Sequence, residues 1–135
     1  MQFVDANMFL RLLTGTPPDQ AKRAYGYFKQ LEAGGPRAIT SESVVAEIVR
    51  VLLSSRNYGL PRPEVARRIR TLLHITGLTV PHAGAIWEAS ECLEESRLDF
   101  VDCLNVAHMN RLGINEIVSF DRDFDRFPEI TRVEP

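Results

Sequence analysis

Apolar residues recur along the chain in two rhythms. Short apolar runs at 2–4 ("QFV"), 37–40 ("RAIT"), 78–80 ("LTV"), 116–120 ("EIVSF") and 131–133 ("TRV") predict strands, the first of them buried. Between them the spacing turns helical. In "ANMFLRLLTG" the positions Met8, Leu12 and Leu13 share a face, and Gly15 stops the run. The next segment, "TPPDQAKRAYGYFKQLEAGG", carries prolines in its first turn, apolar Ala21, Ala24, Tyr25, Phe28 and Leu31, and a Gly-Gly stop. Thr40 or Ser41 can cap a helix running to about Ser55, and Pro61 and Pro63 open another over 62–74. A helix over 82–96 sets Ala83, Ile86, Trp87, Ser90 and Leu93 on one stripe, and a last one over 99–112 ends at Gly113.

Strands this short, separated by helices, call for parallel crossover connections and an α/β sheet covered on both faces. The chain has no repeats, low-complexity segments or interior linkers, so residues 1–135 read as a single domain. In such sheets the functional crevice lies beyond the carboxyl ends of the strands. No apolar run approaches the roughly 18 to 20 residues that would span a membrane, and the N-terminus lacks a basic stretch followed by a long apolar one. The expected location is the cytoplasm.

Composition removes several chemistries. Cys92 and Cys103 form no CxxC pair and read as small core residues, while His74, His82 and His108 show no zinc-type spacing. The net charge of −2 gives no overall pull toward nucleic acid. Its distribution is uneven, however. Arg50, Arg56, Arg62, Arg67, Arg68 and Arg70 form a strip opposed only by Glu64, and Glu88, Glu91, Glu94, Glu95, Asp99 and Asp102 form an acidic one. Each can be a solvated helix face. The arginines, above all Arg62, Arg67 and Arg68, are alternatively a phosphate-contacting strip.

Four acids fall at one edge of the expected sheet. Asp5 follows the first strand, Glu47 lies on the helix after the second, Asp102 lies in the first turn of the 99–112 helix, and Asp121 follows "EIVSF". On its helix Glu47 sits within a stripe of Val44, Ile48, Val51 and Leu52, whereas Glu42 turns to the solvated side. Singly, each acid can be a cap, a turn residue or half of an ion pair. Together, and without thiols or imidazoles, they form an oxygen-only ligand set for a hard cation such as Mg²⁺ or Mn²⁺. Asp99, three residues before Asp102, has the position of an N-cap, with a contact to metal-bound water as its alternative. The chemistry implied is metal-dependent phosphoryl transfer or phosphodiester cleavage.

These motifs resemble the PIN-domain ribonucleases, specifically the VapC-type toxins of toxin–antitoxin pairs. The resemblance rests on "VDANMFLRLLTG", "TSESVVAEIVRVLL", "LDFVDCLNVAHM" and "IVSFDRDFDRF", and spans nearly the whole chain. It implies a three-layer α/β/α fold around a short parallel sheet of four or five strands. It makes Asp5, Glu47, Asp102 and Asp121 the catalytic acids, with Asp5 and Asp102 foremost as metal ligands. Asn7, Asp99, Ser119 and Asp123 become supporting residues, and Ala6 stands where the family most often has a hydroxyl residue. The implied activity is Mg²⁺- or Mn²⁺-dependent endonucleolytic cleavage of RNA by a metal-activated water. A VapB-like antitoxin and a homodimer are the implied partners, and Arg62, Arg67 and Arg68 become candidate contacts for RNA, the antitoxin or the second subunit. The competing reading is a catalytically idle PIN-like module that binds RNA or protein. A receiver domain or a dehalogenase-type phosphatase fits poorly, because Asp5 has neither an adjacent acid nor an aspartate two residues on.

Overall fold

The computed structural model describes all of residues 1–135. Strand β1 (Gln2–Phe3) leads through helices α1 (Ala6–Thr14) and α2 (Pro18–Glu32) to β2 (Ala38–Ile39). Helices α3 (Glu42–Leu53) and α4 (Arg62–Leu73) then lead to β3 (Leu78–Thr79). The hairpin of α5 (Ala83–Glu95) and α6 (Phe100–Leu112) is followed by β4 (Glu116–Val118), a 3₁₀ turn (Arg122–Arg126) and β5 (Thr131–Val133). Every expected element forms, within a residue or two of its expected ends. The 3₁₀ turn is additional.

All strand pairings are parallel, as helical crossovers require. The five strands divide into a sheet ordered β1-β2-β3 and a separate β4-β5 ladder, so the longest continuous sheet has three strands where four or five were expected. In the first sheet Gln2 pairs with Ala38 and Ala38 with Leu78. Strand β1 is an edge, and its two residues are exposed rather than buried, Phe3 to 62%. The chain enters the core one residue later at Val4. There the buried Thr40 hydroxyl donates to the Val4 carbonyl at 2.9 Å, tying the carboxyl ends of β1 and β2 together.

A continuous core runs from Val4, Phe9 and Phe28 through Val45, Ile48 and Leu52 to Ile69, Ile86, Leu93 and Leu104. Its burial supplies most of the driving force for folding. Arg62 acts as a strut across it. Its Nε donates to the Leu93 carbonyl at 2.9 Å and its Nη2 to the Leu98 carbonyl, fixing the end of α5 and the entry to α6.

The cysteines depart from expectation. Cys92 on α5 and Cys103 on α6 are joined in a disulfide, with Cα atoms 5.9 Å apart. Eleven residues separate them along the chain, the distance needed to fold back across the α5–α6 hairpin. Trp87 also differs. It stands outside the buried stripe of α5 (Ala85, Ile86, Ala89, Ser90, Leu93) and takes the Arg70 guanidinium over its ring at 5.8 Å.

Candidate active site

The first turn of α6 gathers most of the predicted acids. Asp99 occupies the N-cap and accepts from the Val101 amide at 3.2 Å, the capping role its position implied. One turn on, Asp102 is half-buried. Burial pushes its carboxyl above the usual carboxylate range, and the negative charges of Asp99, Asp121 and Asp123 push it the same way. Asp121 begins the 3₁₀ turn, held from both sides. Its amide donates to Ser119 Oγ at 3.0 Å, and its Oδ1 accepts from the Asp123 amide at 2.9 Å. Arg132, whose side chain is nearly buried, clamps this loop by donating to Asp125 at 2.9 Å and to the Ser119 carbonyl at 3.1 Å. The charges of Asp99, Asp121 and Asp123 thus act on Asp102 at the N-terminal turn of a helix, where the helix dipole favours negative charge.

Asp5 and Glu47 lie apart from that group. Asp5 is the N-cap residue of α1, exposed, and its side chain makes no capping bond. Its carboxylate therefore has no assigned local task, although neither it nor Glu47 is among the charges acting on Asp102. Asn7 makes no hydrogen bond to Asp5; it lines a groove between α1 and α2 with Arg11 and Arg23. Glu47 opens into a cleft of about 720 Å³ between α3 and α6, whose walls include Arg50, Asp99, Phe100 and Val101. No three of these acids, the group of Asp99, Asp102, Asp121 and Asp123 included, bring ligand atoms within 4.8 Å of one another.

The expected orientations of Glu47 and Glu42 are reversed. The buried face of α3 is Val44, Val45, Ile48, Val49 and Leu52. At about 100° per residue, Glu47 lies roughly 130° from the centre of that face and Glu42 roughly 90°. Glu47 is accordingly exposed, while Glu42 is half-buried and meets His108 Nε2 at 2.6 Å. Sequence reasoning missed this second grouping, Glu42 with His108 and His82. The available signal was that Glu42 and His82 each follow the carboxyl end of a strand by three residues, as acids at the crevice do.

The arginine strip is largely committed inside the molecule. Arg62 is the strut described above, and Arg68 donates to Glu64 at 2.8 Å and to the Leu13 carbonyl. Arg70 pairs with Glu94 at 2.6 Å. Arg67, mostly exposed, pairs with Glu64 at 2.5 Å, and the two arginines hold the Glu64 carboxyl down at about 2. Of the whole strip, Arg50 is the residue that borders the cleft holding Glu47 and Asp99.

Parallel strands joined by helical crossovers, with Asp99, Asp102, Asp121 and Asp123 brought together at the start of α6, make this an α/β protein with one acidic corner. The family model of the PIN domain matches residues 3–130, and the chain belongs to that family. Within it, the chain resembles VapC ribonucleases. The VapC ribonuclease of Aquifex aeolicus is 26% identical over 126 residues, covering 93% of this chain and 91% of that protein. Ribonuclease VapC13 of Mycobacterium tuberculosis is 26% identical over 136 residues, covering 98% and 99%. The crystal structure of VapC20 from the same organism, described as a sarcin–ricin loop cleaving toxin, aligns over the full length of both chains at 23% identity with a TM-score of 0.39.

Proposed function

We propose that this chain is a VapC-type toxin, an endoribonuclease that needs Mg²⁺ or Mn²⁺ and is neutralised by a VapB-like antitoxin. The observation carrying the proposal is the carboxylate group at the start of α6, where Asp99, Asp121 and Asp123 crowd Asp102. Repulsion among like charges is relieved when a cation joins them. The donor set is all oxygen, which suits a hard divalent ion. The resemblance makes Asp5 and Asp102 foremost; with Asp5 apart from the group, Asp102 and Asp121 are assigned as its principal protein ligands. Asp5 and Glu47, which lie apart from this group, are the further ligands that the family resemblance implies, and Ser119 and the Asp123 amide fix the direction of Asp121. An ion held by these carboxylates would supply Lewis acidity for activating a water and for charge on the leaving oxygen.

The protein's own groups have separable tasks. Asp99 and Arg62 hold the first turn of α6 in place, the one by capping it and the other by binding the Leu98 carbonyl beside it. Arg50 offers a cation to RNA phosphate at the mouth of the α3–α6 cleft, a position Arg62 and Arg68 cannot share while their donors are spent internally. The exposed Val101 and acidic Glu47 on the same cleft suit an antitoxin segment that is apolar and basic. A homodimer can draw on the exposed apolar residues Leu112, Ile114, Val118 and Phe120. No helix is long and apolar enough to cross a membrane, and action on cytoplasmic RNA accords with that.

The test is cleavage of total and structured RNA by the purified chain with Mg²⁺, with Mn²⁺ and with chelator. Asp102→Asn and Asp121→Asn should each lose at least a hundredfold in rate while keeping the wild-type circular dichroism spectrum. Cleavage by Asp102→Asn at the wild-type rate would refute the assignment. Failure of the wild-type protein to cleave RNA or take up Mg²⁺ or Mn²⁺ at millimolar concentration would favour the idle binding module.

A further inference from the structure

The structure places one other set of metal-competent side chains together, away from the acids. Ligand atoms of Glu42, His82 and His108 all lie within 4.8 Å of one another. They come from three elements: the first residue of α3, the residue before α5, and the second half of α6. Glu42 and His108 are both half-buried and meet at 2.6 Å, and the His82 ring stands edge-on to His108 with centroids 5.0 Å apart.

The hydrogen bond between Glu42 and His108 is by itself an ordinary tie between helices. His82 is what that tie leaves unexplained. It has a φ of 58°, the only non-glycine residue of the chain in the left-handed region. Histidine tolerates that region better than most residues, yet holding it there still has a cost, which makes the position a pointer to function. The conformation does not serve the helix, since His82 precedes α5 without a side-chain capping bond. Nor do its ring nitrogens hydrogen-bond to any protein group, although the ring is brought against His108. The cation over this end of α5 is itself paired with an acid. Arg111 lies over the first turn of α5, close enough that a side chain at Gly84 would strike its guanidinium, but it pairs with Glu88 at 2.9 Å.

From this geometry we infer a transition-metal site in which His82, His108 and Glu42 bind one Zn²⁺-like ion, leaving a position open to water. Two imidazoles and a carboxylate form a recurrent donor set for such ions and a poor one for Mg²⁺. The site is separate from the acids around Asp102 and is not assigned any step of RNA cleavage. Its occupancy would staple the start of α3 and the start of α5 to α6, replacing a single hydrogen bond with three metal–ligand bonds.

Co²⁺ and Zn²⁺ are suitable probes, used on the full chain with Mg²⁺ in excess to occupy the carboxylates. Calorimetry and the visible absorption of Co²⁺ should report one ion in the wild-type protein and in Asp102→Asn. His82→Ala should bind at least tenfold more weakly and lose the imidazole-type spectrum. Zn²⁺ should raise the melting temperature of the wild-type protein and not that of His82→Ala. His108→Ala also breaks the tie to Glu42, so the exposed His82 provides the cleaner variant. Wild-type affinity retained in His82→Ala, uptake lost in Asp102→Asn alone, or Zn²⁺ bound no tighter than Mg²⁺ would each overturn the inference. Mg²⁺-dependent RNA cleavage should survive in His82→Ala, so the failure of this site and of the proposed activity are read separately.

Discussion

The Thr40 hydroxyl offers the most direct test of how the fold holds its candidate site. Thr40 is 2% exposed and donates to the Val4 carbonyl at 2.9 Å, immediately before Asp5. Thr40→Val keeps the shape and removes the donor. The lost bond is worth about 0.5–1.5 kcal/mol net, and a buried carbonyl deprived of its donor costs about 1–3 kcal/mol. The methyl that replaces the hydroxyl returns up to about 0.8 kcal/mol of apolar burial. The expected net loss is therefore about 1–3 kcal/mol. At roughly 3–5 °C per kcal/mol for a chain of this length, melting should fall by about 3–15 °C. Thr40→Ser, which keeps the hydroxyl and gives up a buried methyl, should lose about 1 kcal/mol. Urea unfolding of the three proteins measures both differences. Because β1 ends at this bond, Thr40→Val should also lose RNA cleavage beyond its unfolded fraction, and Thr40→Ser should not. Stability of Thr40→Val within about 0.5 kcal/mol of wild type would refute the reasoning.

Two further predictions concern charge and covalent linkage. Asp102 has its carboxyl raised by burial and by Asp99, Asp121 and Asp123. The folded state therefore holds a proton there more tightly than the unfolded chain does, and this contribution to stability is lost as pH rises through the raised value. Without divalent metal, Asp102→Asn should at neutral pH be at least as stable as wild type, with a smaller decline between mildly acidic and neutral pH. Thermal melts across that range in chelator check it, and a large drop in melting temperature would contradict it. The Cys92–Cys103 bond closes a short loop across the α5–α6 hairpin. Its reduction should cost about 2–3 kcal/mol by the loop-entropy relation, measurable as a shift in the urea midpoint with and without reductant. An unchanged midpoint would show that the bond adds no stability.

Much of this architecture was legible because its punctuation is local. Gly15 and Gly113 end α1 and α6 in the left-handed conformation that closes a helix, with φ of 71° and 70°. Prolines open α2 and α4 just as reliably. What escaped depended on which face a neighbour covers. The segment "SVVAEIVRVLL" holds more apolar residues than one helix face can bury. Choosing Val51 over Val45 and Val49 for the stripe was enough to turn Glu47 inward and Glu42 outward. Trp87 misled for the same reason, being apolar yet used over the Arg70 guanidinium at the surface. The disulfide required knowing that α5 and α6 form a hairpin. Proximity among Asp99 and Asp102 could be read from their spacing, but the approach of Asp121 and Asp123 depends on where the 3₁₀ turn lands.

Helix α6 links the two candidate metal sites and also keeps them apart. Asp102 and His108 are six residues apart. That is about 9 Å along the helix and roughly 120° around it, so no side chain can serve both clusters. The donor sets differ as well. Imidazole donors favour ions later in the transition series, whereas carboxylate and water oxygens suit Mg²⁺. A site that included an imidazole among the acids would therefore surrender Mg²⁺ to them. Confining His82 and His108 to the far end of α6 leaves the Asp102 end with oxygen donors alone. An ion at one end can influence the other only by changing how firmly α6 is held against α3 and α5. The two should therefore act nearly additively on stability when supplied together. Strong mutual exclusion of Zn²⁺ and Mg²⁺ would mean that the clusters share a ligand, which this separation forbids.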